Sequence, residues 1–284
     1  GPAGADTPRL DDVADRVSWA AADFTDAAAV ASALAAAAPA LVFHLAGAIA
    51  LSPAADAAAL AQANVTATAA VVAGCAGLPD LRLCVHTGTC AEYGDLREDS
   101  DEGSPVAPTT AYGATKAAAT VIARTIAGER GVPLAVLRPY NLYGEWEAPA
   151  RLVPHVALSL LEGRKVPLTG GEQAKDYLYV GDLARAYLAA AASADAATGG
   201  VFNVASGECV TVREVVEALC DALGADRALL RFGEVPYREN EMWRQSASVA
   251  RIRTTLRWEP AQTLASGMAV TAAWYRDNRG LYGR

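Results

Sequence analysis

The pentapeptide Tyr112-Gly113-Ala114-Thr115-Lys116 places a phenol and an ammonium four residues apart. If the segment is helical, positions i and i+4 lie on one face, so the two groups can share a site. A nearby ammonium favours the phenolate and lowers the pKa of the phenol. A phenol tuned in this way can exchange a proton with a hydroxyl or a carbonyl group. The spacing alone is weak evidence, because many helices contain it by chance.

The context of the pentapeptide makes the signal more specific. Thr89 lies in the sequence TGTCAEYG (87–94), directly after an apolar run, where its hydroxyl could bind the oxygen of a reacting group. Three further blocks follow the pentapeptide in the chain: LRPYNLYG (137–144), DYLYVGDLA (176–184) and FNVASG (202–207).

Apolar and Ala-rich periodicities predict the elements that must position these residues. We expect strands at Val17–Ala22, Leu41–Leu45, Leu81–His86, Leu134–Leu137 and Val201–Val204, and helices at Asp26–Ala38, Leu60–Ala76, Tyr112–Arg130, Thr211–Leu223 and Leu264–Asp277. Asp26 is a predicted N-cap, and Thr211 with Glu214 has the spacing of a capping box. Strands separated by helices imply βαβ units and a parallel sheet.

The later part of the chain changes character. Residues 145–177 contain several Gly and Pro and fewer regular runs. We expect this segment and the last third of the chain to form a small lobe over the carboxyl edge of the sheet. Ligands bind at that edge in open α/β folds.

Composition and charge exclude several classes of protein. The 284 residues are 52% hydrophobic and carry a net charge of −8, with no run of Lys or Arg, so we expect no nucleic-acid partner. The longest apolar stretches are interrupted, and no secretion leader is visible, which predicts no membrane partner and a cytoplasmic location. Five scattered cysteines and three dispersed histidines indicate reduced thiols and no metal site.

The five blocks, in this order, resemble the extended short-chain dehydrogenase/reductases that act on nucleotide sugars, also called NAD-dependent epimerase/dehydratases. The resemblance runs from Asp23 to about Trp258. It implies an α/β, Rossmann-like, doubly wound parallel sheet with a small C-terminal substrate-binding lobe. Residues 1–144 and 178–205 would form the dinucleotide-binding domain, and residues 145–177 and 206–284 the nucleotide-sugar lobe.

The resemblance also implies three catalytic residues. Tyr112 matches the family's acid/base, which exchanges a proton with the sugar while a nicotinamide exchanges hydride. Lys116 matches the lysine that tunes this phenol and holds the nicotinamide ribose. Thr89 matches the hydroxyl residue that binds the sugar oxygen under attack.

Other positions match the family's ligand contacts, and the ligands they imply are NAD or NADP and a nucleoside-diphosphate hexose. For the cofactor, Asp23 matches the acid near the adenine, Leu45-Ala46-Gly47 matches the loop along the dinucleotide, and Tyr140 matches the nicotinamide contact. For the substrate, Asn141 matches the sugar-phosphate contact, and Arg238 and Glu241 match the late segment near the nucleotide.

Each of several residues also has a purely structural interpretation. Asn64 matches a structural asparagine of the family and could simply bridge the backbone. Asp23 could be a turn residue, and Arg238 an exposed surface charge. We expect His44 to be a satisfied strand residue and Cys90 a buried, inert thiol.

The sequence departs from the family pattern before Asp23. The family's opening strand, Gly-rich turn and helix, whose N-terminus holds the pyrophosphate, are absent from the sequence. We expect the sequence to start after the second strand, with the opening segment left out rather than lost from the protein. That strand carries the residue that distinguishes NAD from NADP, so the sequence does not decide which of the two dinucleotides binds.

A second departure concerns the reaction. Relatives that are 4,6-dehydratases carry Asp-Glu directly after the catalytic Thr, where this chain has Cys90 and Ala91. Glu92 lies one position too far and, in an extended segment, points to the other face. Dehydration is therefore disfavoured, and so is the decarboxylase reaction, whose enzymes usually keep a Glu at position 91.

We predict hydride transfer at a sugar carbon, most simply C4, by a 4-epimerase or a 4-ketoreductase. The segment Pro236–Met242 faintly resembles 4-ketoreductases of deoxysugar biosynthesis. The alternatives are a nucleotide-sugar dehydratase, a UDP-glucuronate-type decarboxylase, or a non-catalytic dinucleotide-binding protein. We also expect a homodimer, in which Ala119, Ile122 and Ala123 pack against the Leu60–Ala76 helix and its symmetry mate; the same stripe could instead be ordinary core.

Overall fold

The computed structural model describes residues 8–49, 56–95, 99–239 and 241–282. In this part of the chain the α-helices are α1 (Ala27–Ala37), α2 (Ala57–Ala61), α3 (Ala67–Cys75), α4 (Ala111–Arg130), α5 (Leu152–Leu161), α6 (Val180–Ala192), α7 (Ala194–Ala197), α8 (Val212–Leu223), α9 (Ala250–Leu256) and α10 (Leu264–Asp277). A π-helical turn lies at Gln62–Thr66, and 3₁₀ turns lie at Pro8–Arg16, Cys90–Glu92, Arg227–Leu229 and Arg279–Leu281.

The strands that the described residues form are short and are distributed over three sheets. They are β1 (Leu41–His44), β2 (Leu83–Thr87), β3 (Leu134–Pro139), β4 (Asn141–Tyr143), β5 (Val166–Leu168), β6 (Ala174–Tyr179), β7 (Val201–Val204), β8 (Cys209–Thr211), β9 (Leu230–Phe232) and β10 (Arg244–Gln245).

The chain divides into two compact units. Unit 1 takes its described residues from the ranges 1–92, 108–137 and 190–201, and unit 2 from 93–107, 138–189 and 202–284. The assignment of a dinucleotide-binding and a nucleotide-sugar domain to particular ranges stays a prediction.

Strands β1, β2 and most of β3 of unit 1 belong to a parallel sheet in the order β1-β2-β3-β7. Leu41 pairs with Leu83, and Cys84 with Leu134, in parallel register, as the alternation of strands and helices predicts. Strands β2 and β3 are almost wholly buried, which suits apolar runs covered on both faces. Helices α3 and α4 pack together beside this sheet.

The predicted Leu60–Ala76 helix is longer at its start and contains an irregularity. It begins at Ala57, and residues 62–66 form a π turn between α2 and α3 that places Asn64 in the interior. An extra residue in a helical turn rotates one side chain out of the regular stripe, and such turns are frequent at functional sites.

The same helix corrects an expectation about membranes. By length and composition, residues 57–75 could cross a membrane, whereas the sequence indicated that no segment could. Core helices pass the same test, and Leu60, Val72 and Cys75 of this helix are buried inside unit 1.

The predicted strand at Val17–Ala22 is wrong. The segment has no regular structure, and it pairs with none of the sheets that the described residues form. Val17 and Trp19 are 38% and 56% exposed. A strand needs a hydrogen-bonded neighbour, and alternating apolar residues alone do not supply one.

The described residues of unit 2 form two small sheets and several helices, three of which pack together. Strands β10, β6 and β4 run parallel in that order, β8 is antiparallel to β6, and β5 pairs with β9. Helices α5, α8 and α10 enclose a core that includes Val156, Val215, Leu219, Met268 and Tyr275.

Local signals predict the helix ends of both units well. Asp26 caps α1, and Thr211 with Glu214 forms the predicted capping box of α8. Helix α5 was not predicted, because Pro154 and the nearby Gly and Pro residues suggested irregular chain. Pro154 is in the first turn of α5, where its missing N–H costs no hydrogen bond.

Candidate functional site

Thr89 lies just beyond the end of β2 in unit 1. The chain turns there into the 3₁₀ turn Cys90–Glu92, and Thr89 is buried. Its backbone N–H donates to Glu92 Oε1 at 2.9 Å, and its Oγ1 accepts from the Ala91 N–H at 3.3 Å. With this acceptor position occupied, the hydroxyl hydrogen of Thr89 can be directed at another oxygen.

Lys116 projects from α4 to the same strand end. Its ammonium donates to the Thr87 carbonyl at 2.6 Å, and the residue is only 6% exposed. Burial lowers the pKa of Lys116, and the negative charge of Glu92 opposes that change. The lysine is thus bound to a residue that lies two positions before Thr89 in the chain.

Gly113 explains how closely α4 approaches the turn that follows Thr89. A Cβ at this position would lie 2.4 Å from the Ala91 carbonyl oxygen, closer than real atoms approach. The glycine therefore lets the first turn of α4, with Tyr112, pack directly on the Cys90–Glu92 turn. Thr89, Tyr112 and Lys116 thus all belong to unit 1, and the helix that carries the last two packs on the turn that follows Thr89.

Asn64 fixes the loop that follows β1. Its Oδ1 accepts from the Ala48 N–H at 2.8 Å, and its Nδ2 donates to the Ala48 carbonyl at 3.1 Å and to Thr115 Oγ1 at 3.0 Å. The bridging role suggested by the sequence is therefore confirmed. The amide also connects the loop to α4, one residue before Lys116.

Gly47 keeps the space beside Lys116 open. A Cβ on Gly47 would lie 2.9 Å from Asn64 Oδ1 and 4.0 Å from Lys116 Nζ. In the same loop Leu45 is 61% exposed and Ala46 is half-buried. A ribose would meet main chain at Gly47 and could accept a hydrogen bond from the ammonium, so these residues fit that part of a dinucleotide.

Asp23 occupies the turn before α1. It is exposed and accepts from the N–H and Oγ1 of Thr25 at 2.8 and 2.7 Å. These two hydrogen bonds lower the pKa of Asp23. The structure thus shows a turn residue, and an adenine contact by Asp23 stays a prediction.

His44 is a satisfied interior residue, as the sequence indicated. Its Nε2 lies 3.0 Å from Thr68 Oγ1, and its ring stacks against His86 with centroids 5.4 Å apart. Burial, with a smaller contribution from Lys116, lowers the pKa of His44 to about 4. It is therefore neutral at physiological pH. Cys90 is buried, and all five cysteines of the chain are free thiols.

Two predicted ligand residues, Tyr140 and Asn141, lie in unit 2. Tyr140 is buried, and its hydroxyl shares a short hydrogen bond with Ser100 Oγ. Asn141 donates from Nδ2 to the Asp176 carbonyl at 3.1 Å. Both side chains have structural partners, and their contacts with a ligand stay predictions.

Arg238 and Glu241 lie together in another segment of unit 2. The Glu241 N–H donates to the Arg238 carbonyl at 3.2 Å, and the Glu241 carboxylate lies 3.9 Å from the Lys175 ammonium. Arg238 is exposed, which suits both a surface charge and a contact with phosphate. Sequence reasoning did not single out Lys175.

Glu92 and Gly113 are the other residues that sequence reasoning undervalued. The 90–92 segment is a 3₁₀ turn and not extended, and Glu92 points into the interior. The three-residue spacing between Thr89 and Glu92 was a usable signal, because a side-chain carboxylate three positions on can accept a backbone N–H. Within the described ranges, no group of three or more His, Cys, Asp or Glu could hold a metal ion.

Sequence comparisons agree with the resemblance carried by the five blocks. The model of the NAD dependent epimerase/dehydratase family matches residues 3–205. A dTDP-glucose 4,6-dehydratase of Streptomyces niveus is 34% identical over 197 residues, which cover 69% of this chain and 57% of the relative. Another from Escherichia coli is 30% identical over 214 residues, covering 68% and 58%. The chain thus spans less than two thirds of the length of these relatives.

Solved structures agree with the fold. A double mutant of the dTDP-glucose 4,6-dehydratase DesIV from Streptomyces venezuelae, with NAD and DAU bound, has a TM-score of 0.84 at 28% identity and covers 95% of this chain and 83% of that one. A UDP-glucose 4-epimerase from Thermotoga maritima with UDP-glucose has a TM-score of 0.81 at 25% identity, covering 91% and 84%. The predicted Rossmann-like α/β fold is confirmed.

Proposed function

The chain belongs to the NAD-dependent epimerase/dehydratase family, and we propose on this basis that it modifies a nucleoside-diphosphate hexose with a nicotinamide dinucleotide. The observation that supports the proposal is that β2, the 3₁₀ turn and the first turns of α4, the elements beside or on which Thr89, Tyr112 and Lys116 lie, are in direct contact. Similar solved enzymes are described with NAD, and one of them with UDP-glucuronic acid as well, which supports the two ligand classes.

Each of the three side chains has a defined role in this proposal. Tyr112 holds or receives the proton of the sugar oxygen, and the positive charge of Lys116 stabilises its phenolate. Thr89 donates its hydroxyl hydrogen to the same sugar oxygen, because its Oγ1 already accepts the Ala91 N–H. The bound dinucleotide supplies hydride acceptance and donation at its nicotinamide.

Lys116 and the loop Leu45-Ala46-Gly47 would hold the cofactor. Gly47 leaves room beside the lysine, and Asn64 keeps the loop in place through Ala48. NAD and NADP are both compatible with these contacts. Asp23 would lie near the adenine and Tyr140 near the nicotinamide, while Asn141, Arg238 and Glu241 would bind the nucleotide sugar.

The reaction we favour is hydride transfer at C4 without loss of water, by a 4-epimerase or a 4-ketoreductase. Elimination of a hydroxyl needs an acid/base pair besides Tyr112. Cys90 and Ala91 carry no carboxyl group, and the Glu92 carboxylate is fully buried and accepts from Thr89 and Thr120. Glu92 is therefore not positioned to replace the missing acids.

A 4,6-dehydratase is the second candidate, because the relatives cited above carry that name. The three reactions differ in product mass. The protein should be incubated with UDP- and dTDP-hexoses and their 4-keto-6-deoxy forms, and the products analysed by mass spectrometry and NMR. Unchanged mass with inverted C4 identifies epimerisation, and a gain of two hydrogen atoms from NAD(P)H identifies reduction. Loss of one water would overturn the favoured reaction and establish the dehydratase.

A purely dinucleotide-binding protein is a third possibility that the same assay tests. Absence of every product, with NAD or NADP still bound, would contradict the enzymatic proposal. The complete set of Thr89, Tyr112 and Lys116 argues against this outcome, since binding alone does not require all three.

We also propose a cytoplasmic homodimer. The residues first considered for the interface need revision: Ala119 and Ala123 are fully buried within unit 1, where α4 packs on α3. Ile122 is half-buried, and the neighbouring Ala118 and Val121 are exposed, so the available face of α4 is the one they form. Size-exclusion chromatography with light scattering should give a dimer; a monomer at all concentrations would contradict the proposal.

A further inference from the structure

Two hydrogen bonds, both donated by side chains of α4, connect this helix to the end of β2 and to the turn that follows it. Lys116 donates from α4 to the Thr87 carbonyl at 2.6 Å. One helical turn further on, Thr120 Oγ1 donates to Glu92 Oε1 at 3.0 Å. Lys116 and Thr120 are i and i+4 neighbours and share one helix face. Thr89 lies between the two segment residues that they bind.

The same carboxylate oxygen also holds the main chain of Thr89. Glu92 Oε1 accepts the Thr89 N–H at 2.9 Å, within the 3₁₀ turn that Glu92 ends. A single buried atom thus joins the backbone of Thr89 to helix α4. Movement of Glu92 would move Thr89 relative to Tyr112 and Lys116, which α4 carries.

The burial of Glu92 requires compensation. The residue has no solvent exposure, and a carboxylate in such a place is costly unless it accepts hydrogen bonds and lies near a positive charge. The two hydrogen bonds supply the first condition. Lys116, itself 6% exposed and bound to the neighbouring strand end, supplies the second.

We propose that Glu92 is a positioning residue of the catalytic group: it holds Thr89 against α4 and provides the negative charge that balances the buried Lys116. The inference rests on the proposed function, in which Thr89 and Lys116 act on substrate and cofactor. Glu92 itself touches neither and acts through these two residues.

Other titratable groups face Lys116 from the neighbouring strands. His44 on β1 and His86 on β2 both feel its charge, and burial keeps both rings neutral at physiological pH. Neither histidine therefore contributes charge balance above about pH 6.5. Glu92 is the anion that opposes loss of the Lys116 proton.

The test is a titration of Lys116 by NMR in protein labelled at the lysine ε-carbon. The chain has three lysines, Lys116, Lys165 and Lys175, so the spectrum is simple and two signals serve as internal controls. The variant Glu92→Gln keeps a carbonyl oxygen for Thr89 and Thr120 but removes the charge. We expect the Lys116 midpoint to fall by about half a pH unit or more, with Lys165 and Lys175 unmoved.

A matched variant separates charge from hydrogen bonding. Thr120→Val removes one donor to Glu92 and keeps the carboxylate, so it should move the Lys116 midpoint less than Glu92→Gln does. An unchanged midpoint in Glu92→Gln, or an equal shift in Thr120→Val, would overturn the proposal.

If Glu92→Gln does not fold, a double variant decides the question. Two charges that balance each other predict that Glu92→Gln/Lys116→Met has a higher Tm than Lys116→Met alone, which leaves Glu92 buried without its counter-charge. A double variant with a Tm equal to or below that of Lys116→Met would contradict the proposal. None of these readouts needs turnover, so failure of the proposed function would be seen separately, as absence of product from the unmodified protein.

Discussion

Asn64 holds Ala48 through two hydrogen bonds, one in each direction. The amide oxygen accepts the Ala48 N–H at 2.8 Å, and the amide nitrogen donates to the Ala48 carbonyl at 3.1 Å. This pairing satisfies both main-chain groups of one loop residue with one side chain. It fixes the loop that contains Gly47 relative to Lys116.

Asn64→Asp should therefore loosen this loop. The new carboxylate still accepts the Ala48 N–H but cannot donate to the Ala48 carbonyl or to Thr115. Unsatisfied buried acceptors of this kind cost about 1–3 kcal/mol of unfolding free energy. Urea unfolding measures the loss, and dinucleotide affinity should fall with it. Gln62→Ala, at an exposed amide of the same π turn, is the control and should leave both nearly unchanged.

Tyr112→Phe should remove turnover while preserving nucleotide-sugar binding. Loss of a general acid/base lowers kcat by a factor of about 10² to 10⁴, and the rest of the side chain is unchanged. Steady-state kinetics gives the first quantity and calorimetric titration the second. Tyr282→Phe, at a hydroxyl bound to the Glu147 carbonyl, is the matched control. Full activity in Tyr112→Phe would refute the assigned acid/base.

Gly113→Ala should lower both activity and stability, although alanine favours helix. The added Cβ meets the Ala91 carbonyl at 2.4 Å, so α4 must move away from the turn that follows Thr89. Overpacking of this kind costs about 1–3 kcal/mol. The measurements are Tm and kcat.

Gly128 offers the control on the same helix. A Cβ there meets nothing within 4 Å, so Gly128→Ala should raise stability by about 0.5–1 kcal/mol and leave kcat unchanged. If the two variants behaved alike, close packing at Gly113 would not be the cause.

The contribution of His44 to stability should fall as pH decreases from about 6.5 to about 4. Burial lowers the pKa of His44 from 6.5 to about 4, so in this range the unfolded chain binds a proton that the folded chain does not. The His44 contribution to the free energy of unfolding therefore rises with pH across the range, by about 3 kcal/mol in total. Burial lowers the pKa of His86 as well, with the same sign. Burial raises the pKa of Glu147 and of Asp176, so these two carboxyl groups contribute with the opposite sign.

Urea unfolding at several pH values measures this dependence. His44→Gln should remove about 3 kcal/mol from the difference in unfolding free energy between pH 6.5 and pH 4, while His155→Gln, at an exposed position, should leave that difference unchanged. A slope that is equally steep in His44→Gln would assign the acid sensitivity to other groups.

Signals that act within a few residues made much of the fold predictable. The Asp26 cap, the Thr211–Glu214 capping box and the extent of α4 each depend on neighbours in the sequence, and all three are confirmed. The Tyr112–Lys116 face follows from helix period alone. The order of the five sequence blocks then predicted that Thr89 lies near this face.

Features that depend on contacts between residues far apart in the chain could not be predicted from the sequence. The π turn around Asn64 is held by Ala48 and Thr115, and the inward position of Glu92 by Thr120, far along the chain in each case. Val17–Ala22 failed as a strand for the same reason, since pairing decides strand formation. Periodicity reports which face is apolar, but it does not report which partner covers it.

The bond between Lys116 and Thr87 has a consequence for how this chain can evolve. Lys116 binds the main-chain carbonyl of Thr87, a group that every amino acid carries. Position 87 can therefore accept other side chains that suit a strand end, because the hydrogen bond from Lys116 to its carbonyl persists. Position 116 has no such freedom. A library of all single substitutions should show a permissive site at 87 opposite a restrictive one at 116, although the two residues are in direct contact.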